Sequence, residues 1–178
     1  SWGIHQVKSN QEQQQMTLAL YHLTKALDKS RFVISNDGWE HTKSDLITIH
    51  DYVSNGEELK ETYQHLEKML RNEYVNKNQN RQIFAEGFYD EQQPIIISEY
   101  GGIALSSDLG WGYGEKVKDI DAMIKRLDGL TQSIKELDMV SGYCLTQTTD
   151  VEQEMNGLLK PDREPKINYN IIAKINEK

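Results

Sequence analysis

The chain has 178 residues, with 20 basic and 28 acidic side chains, a formal net charge of −8 and 37% hydrophobic residues. This length suits one domain, and an acidic balance without clustered Lys and Arg argues against a nucleic-acid or anionic-membrane surface. Apolar runs of only a few residues exclude a membrane span, the polar, Gln-rich stretch Ser1 to Gln15 does not read as a secretory signal, and the lone Cys144 excludes a disulfide scaffold or a cysteine zinc cluster.

Apolar spacing then divides the chain into helix-like and strand-like pieces. Asn10 to Asp28 sets Met16, Leu20, Leu23 and Leu27 on one helical stripe. Arg31 to Ser35 (RFVIS) reads as a first short strand closed by Asn36-Asp37-Gly38, and Leu46 to His50 (LITIH) as a second. Glu57 to Arg71 repeats Leu59, Tyr63, Leu66 and Leu70 at helical intervals, with Ser54 or Asn55 as N-cap. Asn72 to Gln93 is polar, rich in Asn and Gln, and reads as a long loop or lid insertion. Pro94 to Ser98 (PIIIS) is a strand with its proline at the tolerated first position. Val117 to Leu137 is a long helix with Val117, Ile120, Ile124, Leu127, Ile134 and Leu137 inward; Val140 to Thr146 is a last strand and Tyr169 to Ile175 a closing helix.

Strands apolar on both faces that alternate with amphipathic helices indicate an α/β fold with a parallel sheet. The ten residues between Ser35 and Leu46 are short for a parallel crossover and leave a hairpin open. Neither flanking strand shows a polar face, which favours the parallel arrangement.

In such folds ligands bind where strands end and the following loops begin. Those places hold Asn36-Asp37-Gly38-Trp39-Glu40, His50-Asp51-Tyr52, Glu99-Tyr100-Gly101-Gly102, Trp111-Gly112-Tyr113-Gly114 and Gln147-Thr148-Thr149-Asp150. Glu99, directly after a buried run, suits a nucleophile or base held in fixed geometry; a structural carboxylate pairing with a neighbouring cation has the same signature. Trp2, Trp39 and Trp111 each sit beside a glycine in a predicted loop. Flat rings with Asp, Glu, His and Gln nearby suit a pyranose, or else they bury the loop bases. His41, His50 and Asp51 lack helical metal-ligand spacing, so no metal is expected. GWGYG lacks the Lys-Ser/Thr of a phosphate loop, and no G-x-S-x-G occurs.

Together, SWG at Ser1 to Gly3, NDGWE at Asn36 to Glu40, HDY at His50 to Tyr52, SEYGG at Ser98 to Gly102, WGYG at Trp111 to Gly114, GYCLTQTTDVEQEMNGLL at Gly142 to Leu159 and DREPK at Asp162 to Lys166 resemble the catalytic barrel of glycoside hydrolase family 2. That is the β-galactosidase, β-glucuronidase and β-mannosidase group. The resemblance covers essentially the whole chain. It implies half of a (β/α)8 TIM barrel, strands five to eight with their helices, over residues 1–178, with 72–93 as the insertion. It implies a retaining exo-glycosidase acting on β-linked glycosides, with Glu99 as nucleophile and Tyr52 assisting it. The general acid/base Glu would lie just before Ser1. Asp37, Trp39, His50, Trp111, Gln147 and Trp2 are implied as substrate-binding residues, and no cofactor is demanded. A half-barrel would also account for the low apolar fraction, and its open sheet edges are a route to self-association. The competing expectation is a non-catalytic carbohydrate-binding or interaction module derived from a barrel half; a third is an α/β domain whose loop aromatics are structural. A single cysteine fits the cytoplasm.

Overall fold

The structure, a computed structural model, describes residues 10–76 and 79–177. Its elements in chain order are α1 (Gln11–Leu27), β1 (Ile47–Asp51), α2 (Gly56–Tyr63), α3 (Leu66–Leu70), β2 (Ile95–Gly101), α4 (Ile120–Lys135), β3 (Val140–Thr146) and α5 (Tyr169–Glu177). The strands form one open parallel sheet in the order β1-β2-β3. Strands that follow one another in sequence and lie parallel need a crossover, and α2 with α3, then α4, supply the two. Among the described residues no helix is long and apolar enough to cross a membrane.

Two compact units divide the chain. The first comprises Ser1–His50, Thr62–Ser98 and Met139–Tyr143; the second comprises Asp51–Glu61, Glu99–Asp138 and Cys144–Lys178.

In the first unit the core gathers Ile47, Ile49, Tyr63, Leu66, Met69, Leu70, Ile83, Phe84, Ala85, Ile95 and Ile97, all at most 6% exposed. Phe84 is fully buried inside the polar stretch 72–93, where Ala85 N–H donates to His41 O at 2.9 Å and His41 N–H to Ile83 O at 2.8 Å. His41 is itself fully buried, and its Nε2 accepts from Thr48 N–H at 3.0 Å. Burial lowers the pKa of its imidazole, because the charged form loses hydration.

Two expectations for this unit change. RFVIS is not a strand: the backbone of Val33 is taken by two neighbours in the chain, with its N–H donating to Asp45 Oδ2 at 2.8 Å and its C=O accepting from Asp45 N–H at 2.9 Å and from Ser44 Oγ–H at 3.4 Å. A ladder needs successive rungs along a partner strand, and this is a local clasp around Asp45. Phe32 and Ile34 accordingly stay exposed, at 75% and 38%. The question of a hairpin against a crossover before Leu46 goes with that strand.

The second change concerns α1, which forms where its spacing predicts but turns about a third of a revolution from its apolar stripe. Met16, Leu20, Leu23 and Leu27 face outward, while Gln14, Thr17 and Tyr21 are buried. The buried side is polar because its groups find partners in the loop before β1. Thr17 Oγ1 meets Thr42 Oγ1 at 2.7 Å, Tyr21 OH donates to Asp45 Oδ1 at 2.7 Å, and Lys25 pairs with Asp45 at 2.8 Å. Asn10 caps the helix by accepting from Gln13 N–H.

In the second unit α4 is capped by Asp119, whose side chain accepts from Ala122 N–H. It buries Met123, Leu127, Leu130 and Ile134, a stripe rotated from the predicted one so that Ile120 and Ile124 are only half-buried. Tyr100 OH and Thr131 Oγ1 meet at 2.8 Å and tie β2 to α4. Asn55 caps α2 through Glu58 N–H at 2.8 Å, as its position predicts. The predicted helix of residues 57–71 is broken at Gln64-His65, yet Leu59, Tyr63, Leu66 and Leu70 are all buried.

Candidate active site

Each unit holds a polar constellation built from strand residues and the loops beside them. In the second unit the centre is Glu99, the fifth residue of β2, with its backbone held in the sheet. Tyr52, just past the end of β1, donates its hydroxyl to Glu99 Oε2 in a short hydrogen bond. A carboxylate accepting from a half-buried phenol is held in one orientation. Burial, then the hydrogen bond and negative charge of Glu99, raise the Tyr52 phenol far above its usual value. It therefore stays protonated, and the donor is present throughout the neutral and mildly alkaline range.

The ring of Tyr52 is stacked on Tyr113, with centroids 3.6 Å apart and planes 6° from parallel. Trp111 meets Tyr113 edge-on at 5.6 Å and is 47% exposed. An aromatic wall thus leads away from Glu99. The second glycine of SEYGG makes the stack possible: Gly102 has φ +59°, and a Cβ there would lie 2.6 Å from Tyr113 Cδ2 and 3.0 Å from Tyr52 Cδ1. Burial and the charges of Glu154 and Glu99 raise the Tyr113 phenol, outweighing the hydrogen bond with Tyr52.

The loop after β3 completes this unit. Gln147 is half-buried, with its backbone bonded to Asn156 O and Leu158 N–H at 3.4 and 3.0 Å, while its Nε2 has no partner among the described residues. Beneath the loop, Lys166 pairs with Asp150 Oδ1 at 2.8 Å and Asp108 at 3.7 Å, and donates to Met155 O at 2.9 Å. Asp150 Oδ1 also accepts from Gly157 N–H at 2.8 Å. A buried ion pair therefore pins residues 147–159.

In the first unit, Asp37 and His50 come together. A carboxylate only accepts, so His50 Nε2–H donates to Asp37 Oδ2, at 3.4 Å, while Ser98 Oγ–H donates to Oδ1 at 2.8 Å. Gly38, at φ +72°, passes so close to the imidazole that a Cβ would lie 2.0 Å from His50 Cδ2. Burial works against the charge of Asp37, but hydrogen bonds from His50, Ser98 and Thr48 outweigh it and hold its pKa down to about 2. A carboxyl group whose folded pKa lies below its unfolded value, about 3.9, stabilises the fold above that value and loses the contribution as pH falls. Asp37→Asn is therefore expected to flatten the acid limb of stability between about pH 4 and pH 2, read by circular dichroism in fixed urea against pH. A variant that keeps the wild-type acid slope would sever Asp37 from that linkage.

At Trp39 the Arg81 guanidinium sits 3.0 Å above the ring centroid, a cation–π arrangement that covers one face. Trp2 lies outside the described residues. Sequence reasoning chose Trp111 from WGYG and passed over Tyr113, which only the stack on Tyr52 reveals. It also passed over Arg81, Glu154 and the Asp150–Lys166 pair.

Comparison with known proteins adds the following. The family model described as glycosyl hydrolases family 2, TIM barrel domain, matches residues 6–178. Among solved structures, a β-glucuronidase from an uncultured Clostridium species superposes with a TM-score of 0.64 at 16% identity, over 99% of this chain. The GH2 β-galacturonidase of Eisenbergiella tayi bound to galacturonate gives 0.59 at 17% over 94%, and the Bifidobacterium dentium β-glucuronidase complexed with coumarin-3-O-glucuronide gives 0.58 at 17% over 88%. At such identities the likeness is one of fold. The chain spans 31%, 31% and 25% of those three proteins. No curated protein matches the sequence.

Proposed function

Since the chain belongs to glycosyl hydrolases family 2, as part of its TIM barrel domain, we propose that it supplies the nucleophile and much of the sugar pocket of a retaining exo-glycosidase acting on β-linked glycosides. β1, β2 and β3 would be the sixth, seventh and eighth barrel strands, with the rest of the barrel in the longer polypeptide. The observation that carries this reading is the Tyr52 hydroxyl donating to Glu99 on β2, in a fold whose catalytic residues sit at the C-terminal ends of strands.

In the proposed reaction Glu99 attacks the anomeric carbon. The C1–carboxylate bond forms as the bond to the leaving oxygen breaks, and that oxygen takes a proton from a second carboxylic acid. Water, deprotonated by the same group, then displaces the enzyme carboxylate and restores the β configuration. Retention requires the two carboxyl groups to stand about 5–5.5 Å apart; the resemblance assigns the second to the residue preceding Ser1. Tyr52 orients Glu99 for attack. Tyr113 and Trp111 offer the apolar face of the sugar a surface, while Gln147 is assigned to its hydroxyls.

The direct test is trapping. A 2-deoxy-2-fluoro β-glycoside with a good leaving group is expected to inactivate the full-length protein. Mass spectrometry would then place one glycosyl unit on the peptide containing Glu99. A label on another carboxylate, or inactivation without a covalent adduct, would overturn the assignment.

A further inference from the structure

Glu154 belongs to the aromatic wall by backbone pairing. Trp111 N–H donates to Gln153 O at 2.7 Å and Met155 N–H donates to Trp111 O at 2.8 Å, a parallel bridge that sets Glu154 directly opposite Trp111. Paired backbones run about 4.8 Å apart, and directly opposed residues point to the same side. The negative charge of Glu154 reaches the Tyr113 hydroxyl, as does that of Glu99. Asn156 holds Glu154 in place: Nδ2 donates to Glu154 Oε1 at 3.2 Å, while Asn156 Oδ1, in a side chain only 2% exposed, has no partner among the described residues. A ligand lying on Tyr113 and Trp111 therefore meets a fixed carboxylate, an acceptor without a proton of its own.

We propose that Glu154 is a specificity-determining residue that selects uncharged hexosides and excludes uronides. The inference rests on the glycosidase reading above and deepens it. The hydroxyls of a neutral sugar can donate to Glu154. The carboxylate of a uronide has no proton to donate, and in a partly dehydrated pocket it is repelled by a second negative charge. No cation of this loop offsets that repulsion, because Lys166 has a side chain only 4% exposed and is already engaged by Asp150 and Asp108. Sugars that carry a carboxylate, like the galacturonate and the coumarin-3-O-glucuronide bound by the solved relatives, are therefore what this pocket should reject.

The test uses the full-length protein with p-nitrophenyl β-galactoside, β-glucoside, β-glucuronide and β-galacturonide, at low and high ionic strength. Like-charge juxtaposition predicts a kcat/KM for the better neutral substrate about 100-fold or more above either uronide. Glu154→Gln should narrow that ratio about tenfold or more, chiefly through a lower KM for the uronides. Salt should narrow the ratio in the wild type by screening and leave it unchanged in Glu154→Gln, a signature that loss of packing would not produce. Glu154→Asp, which keeps the charge, should keep the preference. A wild-type preference for a uronide, or an unchanged ratio in Glu154→Gln, overturns this inference while leaving the glycosidase reading intact. Turnover of none of the four substrates overturns this inference, while the glycosidase reading stands or falls by the trapping experiment.

Discussion

Glu99→Gln in the full-length protein is expected to lower kcat on an aryl β-glycoside by at least about a thousandfold, or about 4 kcal/mol of transition-state stabilisation. The side chain keeps its size and an oxygen that can accept from Tyr52, so the fold should be retained. What is lost is the charged nucleophile that must form the bond to C1. Tyr52→Phe removes only a hydrogen bond to a charged group, and a loss of about ten- to a hundredfold is expected. Its stack on Tyr113 would survive, because Phe presents the same ring. Glu99→Ala should regain partial turnover with azide and release the α-glycosyl azide, since a small anion can enter from the face the carboxylate occupied. Wild-type rates in Glu99→Gln would remove Glu99 from the chemistry.

The second large effect concerns the ion pair beneath the loop after β3. Lys166 and Asp150 have side chains 4% and 0% exposed, and Asp150 Oδ2 already lacks a partner among the described residues. Lys166→Met is expected to destabilise the protein by about 3–5 kcal/mol, because it leaves a carboxylate buried without its countercharge. Lys166 also donates to Met155 O, so the same change loosens the segment that carries Glu154 and Asn156. The double variant Lys166→Met/Asp150→Leu should be less destabilised than the sum of its single changes, since neither isolated charge remains. Urea titrations of the four proteins measure this; strict additivity would argue against direct coupling of the pair.

Much of the site was legible along the chain. A carboxylate attached to an uninterrupted apolar run, PIIISE, has to sit on a buried strand, and Glu99 does. HDY after a second apolar run placed Tyr52 at a strand end, and the joint pattern of SEYGG, WGYG and DREPK identified the family. Helix positions also followed from spacing, because a 3.6-residue repeat is a local property of the chain.

Local periodicity shows that a segment has two unlike faces, but not which face finds a partner. In α1 the polar face turned inward because Thr42 and Asp45, distant in sequence, satisfy Thr17 and Tyr21. RFVIS has the composition of a strand, yet Asp45 and Ser44 hold the backbone of Val33 in place of a ladder. The stack of Tyr52 on Tyr113, the bridge from Trp111 to Glu154 and the Asp150–Lys166 pair likewise join residues far apart in the chain. The sequence by itself determined most of the elements, the family and a carboxylate carried on β2. The tertiary structure alone decided the rest, because each of those pairings depends on distances that only the folded backbone sets.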